Sequence, residues 1–158
     1  MAGLNVGEGA LAPLFERLVD DQPLVSTEAR PFRTVNPNGL RASIRNELQR
    51  LLNTRCSQEH EAMGNRSPTV LDYGVPDFTH LSPTNPHDRK FMQRTLGKAI
   101  ANYEPRLRNV SVRIVRYDGP RQMCEARIDG LMIVGNITEA VSFPTIINRS
   151  GVVEVVGA

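Results

Sequence analysis

The stretch YEPRLRNVSVRIVRY (Tyr103–Tyr117) joins two different apolar patterns. Apolar residues upstream of it recur at helical spacing as far as Tyr103, whereas apolar residues downstream of it alternate. Proline disfavours helical conformation in the residue before it, so Pro105 should force Glu104 out of the helix. The stretch therefore predicts a corner at which a helix ends at about Tyr103 and a strand follows.

Two β-segments follow this corner. In the first, Val110, Val112 and Ile114 alternate before Val115 and Tyr117 shift the phase, which indicates a β-bulge. After the turn sequence YDGPRQ, the segment MCEARIDGLMIV places five apolar residues on one face, namely Cys124, Ala126, Ile128, Met132 and Val134. Together the segments predict an antiparallel hairpin.

A third strand, AVSFPTIIN (140–148), and a short fourth strand, GVVEVV (151–156), complete the predicted sheet. Pro144 interrupts the third strand and cannot donate a backbone hydrogen bond, which predicts a sheet edge or a break there. Exposed edges can pair with a strand of another chain. Phe143 and Pro144 are therefore candidate interface residues.

Helical patterns precede the sheet. The helix that ends at Tyr103 should begin after Asn85, a capping residue followed by Pro86. An earlier helix has an apolar stripe at Leu40, Ile44, Leu48, Leu51 and Leu52. A short amphipathic helix is predicted over 11–20, and a connector with an Asn-Pro-Asn-Gly turn over 21–39. The predicted fold is α+β, with N-terminal helices packed on a small antiparallel sheet of three to four strands.

The 158-residue length favours one domain, expected over 11–158 after a flexible, Gly-rich N-terminus at 1–10. No apolar run approaches the ~20 residues of a membrane span, and the N-terminus lacks the pattern of a secretory signal. We therefore expect a cytoplasmic protein without direct membrane insertion. Arginine dominates the 19 basic residues, since only Lys90 and Lys98 are lysines. This bias suits protein interfaces or a GC-rich genome.

Neither a catalytic nor a cofactor site stands out. Cys56 and His60 have i,i+4 spacing, but two ligands do not make a zinc site, so no metal is expected. Glu104 and Glu139 are the only candidates for a glycosidase acid and base, although acids near element ends are usually caps. Arginines cluster around the first hairpin, but acids interleave with them, which argues against nucleic-acid binding.

The corner itself allows two interpretations. An extended Glu104-Pro105-Arg106 projects the two charged side chains to the same side, where they could present a donor fork and an acceptor to a partner. Alternatively, Arg106 could pair with Glu104 and close the helix end within the monomer. Spacing alone favours the second interpretation.

Five segments in order carry a family resemblance: LFERL, SIRNELQRLLNTR (Ser43–Arg55), YGVPD (Tyr73–Asp77), YEPRL (Tyr103–Leu107) and VSVRI. The chain resembles the TssE family of type VI secretion baseplate proteins, which is similar to the wedge protein of contractile phage tails. The resemblance extends over roughly Leu11 to Val156. Val75 occupies a position at which leucine is commoner in that family.

The resemblance implies a cytoplasmic baseplate docked at the inner membrane. Wedges that also contain TssF, TssG and TssK surround a central spike, which could be a further partner. The TssE subunit joins the wedge to the first ring of the TssB–TssC sheath. The corner of Glu104, Pro105 and Arg106 would contact the wedge core as an exposed anchor. The sheet resembles the interlocking handshake domain of the sheath, which implies that sheath growth begins on it by strand exchange.

The family also bears a historical lysozyme-like label. Nothing in the matched segments identifies catalytic residues, so a non-enzymatic role is expected. The alternative is a peptidoglycan hydrolase that uses Glu104.

Overall fold

The computed structural model describes residues 10–11, 24, 34–35, 37–57, 67–134 and 137–156. The elements, in chain order, are β1 (Ala10–Leu11), β2 (Thr34–Val35), α1 (Pro37–Asn53), a 3₁₀ turn (Val70–Asp72), α2 (Pro86–Tyr103), β3 (Leu107–Asp118), β4 (Met123–Val134), β5 (Ile137–Asn148) and β6 (Val153–Val155). Both helices pack on an antiparallel sheet of order β3-β4-β5-β6, and β1 pairs with β2. The predicted α+β fold is confirmed.

Helix α1 begins earlier than the sequence pattern indicates. We predicted a turn over 36–39, but the helix already includes Pro37, so this part of the prediction is wrong. Proline is tolerated in the first helical turn because the N–H that it lacks would have no intrahelical partner there. The predicted helix over 11–20 lies outside the described residues from residue 12 onward, and Leu11 belongs to β1.

Helix α2 has the predicted ends. The side chain of Asn85 caps its start by accepting a hydrogen bond from the His87 N–H (2.9 Å). The helix ends at Tyr103, and the Glu104 N–H donates the last helical bond, to the Ile100 carbonyl (2.8 Å). Pro105 thus stops the helix where the sequence predicted.

The core lies between the helices and one face of the sheet. Helix α1 packs against β6, and α2 packs against β3. The predicted stripe of α1 is buried, and so is that of α2 except for its last residue, Tyr103, which is half-buried. The inward residues of the sheet are buried as well, including Val112, Ile114, Cys124, Ala126, Ile128 and Met132. Burial raises the pKa of the Cys124 thiol.

Strand β3 is bulged twice against β4. The register shift between Ile114 and Arg116 confirms the predicted bulge, and a second shift lies between Arg108 and Ser111. Asn109, within the second bulge, has a φ of 52°. Asparagine tolerates this left-handed conformation better than most residues. The two bulges therefore divide β3 into three stretches that each pair regularly with β4.

Pro144 lies at the point of β5 where the pairing with β6 ends, in agreement with the predicted edge or break. It lies inside β5, which pairs with β4 along its length and with β6 over Thr145–Ile147. The Pro144 carbonyl accepts a hydrogen bond from the Val156 N–H (2.8 Å), on the β6 side. Since the two polar groups of a strand residue point to the same side, the missing N–H also faces the β6 side. The missing N–H of Pro144 therefore removes no backbone hydrogen bond between β5 and β4.

None of the described helices is long and apolar enough to cross a membrane.

Candidate partner-docking site

The corner after α2 is closed by a bidentate ion pair. The Arg106 Nε donates to Glu104 Oε1 (2.7 Å) and its Nη2 to Glu104 Oε2 (2.5 Å), while the Arg106 backbone N–H also donates to Oε1 (3.2 Å). The Glu104 side chain is 3% exposed and that of Arg106 is 19% exposed. Fork-to-fork pairing of this kind is both directional and strong.

Ser43 connects this corner to α1. Its hydroxyl accepts a hydrogen bond from the remaining Arg106 nitrogen, Nη1 (2.9 Å), and the residue is 2% exposed. Sequence reasoning missed Ser43, although it lies beside Ile44 on the apolar face of a predicted helix. A polar residue in such a stripe signals a buried partner elsewhere in the chain.

These contacts correct one expectation. We expected Arg106 to be an exposed anchor, but it lies against Glu104 and Ser43 within the monomer. The corner still presents Pro105, which is exposed, and part of the Arg106 side chain. Both Glu104 oxygens accept hydrogen bonds from Arg106 within the monomer.

The YGVPD and LLNTR segments of the sequence meet at the end of α1. The Val75 N–H donates to the Thr54 carbonyl (2.8 Å), and the Cys56 N–H donates to the Val75 carbonyl (3.1 Å). Val75 is fully buried, so valine fills the position where the family more often has leucine. Gly74 adopts a φ of 121° at this contact. The two segments thus form one structural unit.

The YEPRL segment joins the same unit through two aromatic rings. The Tyr73 and Tyr103 rings meet edge to face, 5.2 Å apart, and the Tyr103 hydroxyl donates to the Thr69 carbonyl (2.8 Å). Burial, followed by the charge of Glu47, raises the pKa of Tyr73. Three of the segments that carry the family resemblance, LLNTR, YGVPD and YEPRL, therefore converge around the ends of α1 and α2.

Two amide side chains of α1 cover the outer edge of β6. Asn53 donates to the Val153 carbonyl (2.7 Å) and accepts from the Val153 N–H (2.9 Å). Gln49 donates to the same carbonyl (2.6 Å) and accepts from the Val155 N–H (2.7 Å). The amides occupy the positions that a neighbouring strand would take. The β6 edge is therefore closed.

Asn53→Ala should lower the free energy of unfolding by about 1–3 kcal/mol, because it leaves the part-buried Val153 N–H without its acceptor. Chemical denaturation of the purified protein measures this loss. Ser150→Ala is the matched control, since Ser150 is exposed and bonds only to the neighbouring Asn148 side chain. Equal stability of the two variants would contradict the covering role of Asn53.

The two predicted interface residues on β5 differ in accessibility. Phe143 is 3% exposed and belongs to the core, and the Arg41 guanidinium lies 6.0 Å from the centre of its ring. Arg41 also donates to the Ser142 carbonyl (3.3 Å). Pro144 is exposed. Phe143 and the corner thus contact α1 at different residues, Phe143 through Arg41 and Arg106 through Ser43.

In the described part of the chain, the outer edge of β3 carries backbone groups without a strand partner. Odd-numbered β4 residues direct their backbone polar groups toward β3, as the bond from the Ile133 N–H to the Arg106 carbonyl illustrates (2.9 Å). Between the bulges, the N–H and C=O groups of Val112 and Ile114 consequently point away from β4. No described strand pairs with this side. A groove runs beside it, lined by residues of α2 and β3 that include Gly97, Ala101 and Val110.

Within the described part of the chain, no cluster of three or more His, Cys, Asp or Glu side chains could hold a metal ion.

The exposed pair of Arg113 and Asp129 on the outer sheet face is joined by Ser142, which donates to Asp129 (2.7 Å). This alternation of charges fits a solvated surface.

Comparisons with known proteins place this architecture in a family. No curated protein gives a significant match to the chain. A solved chain from the baseplate complex of the type VI secretion system has 21% identity and a TM-score of 0.49, and the alignment covers 69% of this chain and 94% of that chain. The model of the family "Baseplate wedge protein gp25" matches residues 38–136. Because these residues make up more than half of the 158-residue chain, the protein belongs to the baseplate wedge protein gp25 family.

Proposed function

We propose that the protein is a non-enzymatic structural subunit of a type VI secretion baseplate, where it joins the wedge to the first ring of the sheath. Membership of a baseplate wedge family supports the first part of this proposal. The resemblance of its YEPRL and YGVPD segments to TssE favours the secretion system over other contractile machines. The working location is the cytoplasmic face of the inner membrane.

The open β3 edge is the observation that carries the sheath contact. Val112 and Ile114 direct unpaired backbone groups outward, whereas Gln49 and Asn53 already occupy the β6 edge. An incoming strand gains main-chain hydrogen bonds only where such groups are free. The outer edge of β5 before Thr145 also lacks a neighbouring strand among the described residues, but we assign strand addition to β3, because the groove beside α2 leaves room there for the incoming side chains. The TssB–TssC sheath supplies the strand.

The corner provides the wedge contact. Its ion pair holds the chain in one conformation and leaves Pro105 and part of Arg106 at the surface. A preorganised surface binds with a smaller loss of conformational entropy. TssF and TssG are the partners that the resemblance implies there, with TssK in the same wedge. In this role the Glu104 carboxylate shapes the interface and takes no part in hydrolysis.

Hydrogen exchange resolved to single residues tests the sheath contact. On adding assembled TssB–TssC sheath, the Val112 and Ile114 amides should exchange at least about tenfold more slowly, because new cross-strand bonds protect them. The Val153 and Val155 amides are internal controls, since they already donate to Asn53 and Gln49. Their exchange should not change.

Protection of the Thr138, Ala140 and Ser142 amides instead would place the incoming strand beside β5, in line with β6, and would contradict the assignment to β3. Unchanged exchange at all of these positions, in a sample where binding is shown by co-sedimentation, would contradict strand addition itself.

A further inference from the structure

The 3₁₀ turn before the YGVPD segment presents two adjacent aliphatic side chains to solvent. Val70 is 88% exposed and Leu71 is 87% exposed. A single exposed apolar residue is common on soluble proteins. Among the described residues, however, these are the only neighbours along the chain in the set of exposed large hydrophobic side chains. The exposure of two adjacent aliphatic side chains therefore needs a physical explanation.

Hydrogen bonds between Thr69 and Asp72 stabilise the turn that holds these two side chains. Asp72 is 5% exposed, and its Oδ2 accepts hydrogen bonds from both the N–H (3.0 Å) and the hydroxyl (2.8 Å) of Thr69. The Asp72 N–H donates back to the Thr69 carbonyl (3.0 Å). A buried carboxylate is costly unless its bonds are satisfied. The buried Asp72 carboxylate therefore stabilises a turn in which both large apolar side chains are exposed to solvent.

The turn also lies beside the corner. The Thr69 carbonyl accepts a hydrogen bond from the hydroxyl of Tyr103, the last residue of α2, which immediately precedes Glu104. This bond therefore tethers the turn to the end of α2, from which the corner follows. Side chains held in one conformation before binding lose little entropy when a partner covers them.

The surface area of the Val70 and Leu71 side chains distinguishes between two kinds of binding partner, a second copy of this chain and a different subunit. Burying both side chains removes on the order of 200 Å² from water, far below the ~800 Å² that each partner buries in a specific interface. The pair cannot by itself hold two copies of this chain together. It suits an anchor that inserts into a pocket within a larger contact, and aliphatic side chains without charge require that pocket to be apolar.

We propose that Val70 and Leu71 form an aliphatic anchor that inserts into an apolar pocket of a neighbouring wedge subunit, next to the corner. This inference rests on the proposed wedge role. The Thr69–Asp72 bonds keep the anchor in its binding conformation, and the bond from Tyr103 keeps it in position relative to Pro105.

Binding measurements with the wedge subcomplex isolated from cells that lack this chain test the anchor. The double variant Val70→Ser, Leu71→Ser should bind at least about tenfold more weakly than the wild type, from the loss of two buried aliphatic side chains. Its unfolding midpoint should not change, because both side chains are exposed in the free protein. The matched controls are Val115→Ser and Val152→Ser, at valines that are 64% and 50% exposed. They should bind as the wild type does.

A photoreactive p-benzoylphenylalanine in place of Leu71 identifies the occupant. Crosslinks should map to apolar pocket residues of one wedge subunit. Crosslinks to a second copy of this chain, or equal affinity of the double variant and the wild type, would overturn the anchor while leaving the wedge role intact. Failure of the wild type itself to bind the subcomplex would instead contradict the proposed function.

Discussion

Arg106→Ala is expected to lower the free energy of unfolding by about 3–5 kcal/mol, because it leaves the buried Glu104 carboxylate without its counter-charge. The substitution also removes the hydrogen bond to Ser43, so the corner loses its connection to α1. Chemical denaturation of the purified variant measures the loss. The expected value is far larger than that for an exposed anchor, whose truncation would change monomer stability by roughly 0.5 kcal/mol or less.

A second substitution separates lost charge pairing from lost packing. Glu104→Gln in the Arg106→Ala background removes the uncompensated charge and should restore part of the stability. Arg113→Ala is the matched control, since its pair with Asp129 is largely exposed and should contribute no more than about 1 kcal/mol. If Arg106→Ala costs as little as Arg113→Ala, the ion pair does not stabilise the corner.

Gly74→Ala is expected to lower the free energy of unfolding by about 3–5 kcal/mol, as the sum of backbone strain and a lost buried hydrogen bond. The backbone φ of 121° is accessible essentially to glycine alone. A Cβ at this position would lie 2.6 Å from the Thr54 carbonyl oxygen, which accepts the bond from the Val75 N–H. Thermal and chemical denaturation measure the effect.

Gly97→Ala is the matched control for this glycine. Gly97 lies in α2, and the nearest atom to a Cβ there is 4.0 Å away. Alanine is the better helix former, so this variant should gain about 0.5–1 kcal/mol. Two Gly-to-Ala substitutions in one chain are thus expected to have opposite signs. A stable Gly74→Ala variant would show that the contact between the YGVPD and LLNTR segments can shift without cost.

Local patterns predicted most of the secondary structure. The end of α2 at Tyr103, the Asn85 cap, the bulge after Ile114 and the inward face of β4 from Cys124 to Met132 follow from rules that act within a few residues. The same rules placed Pro144 at an edge or a break, which agrees with the end of the β6 ladder at Thr145, but they could not show which side of β5 its missing N–H would face. They also could not distinguish an Arg106 that meets Ser43 from one that meets a partner.

The sequence by itself determined the two long helices and the strands of the main sheet, because periodicity, capping and proline placement act locally, and its motifs indicated the baseplate family. Only the tertiary structure decided which polar groups are already satisfied. Gln49 and Asn53 reach β6 across about 100 residues of chain, and Arg106 reaches Ser43 across 63. No local pattern encodes such pairings, since they depend on how the helices pack on the sheet. Among the described residues, that packing closes the β6 edge and the corner, leaves the outer edge of β3 without a paired strand, and leaves Val70 and Leu71 exposed.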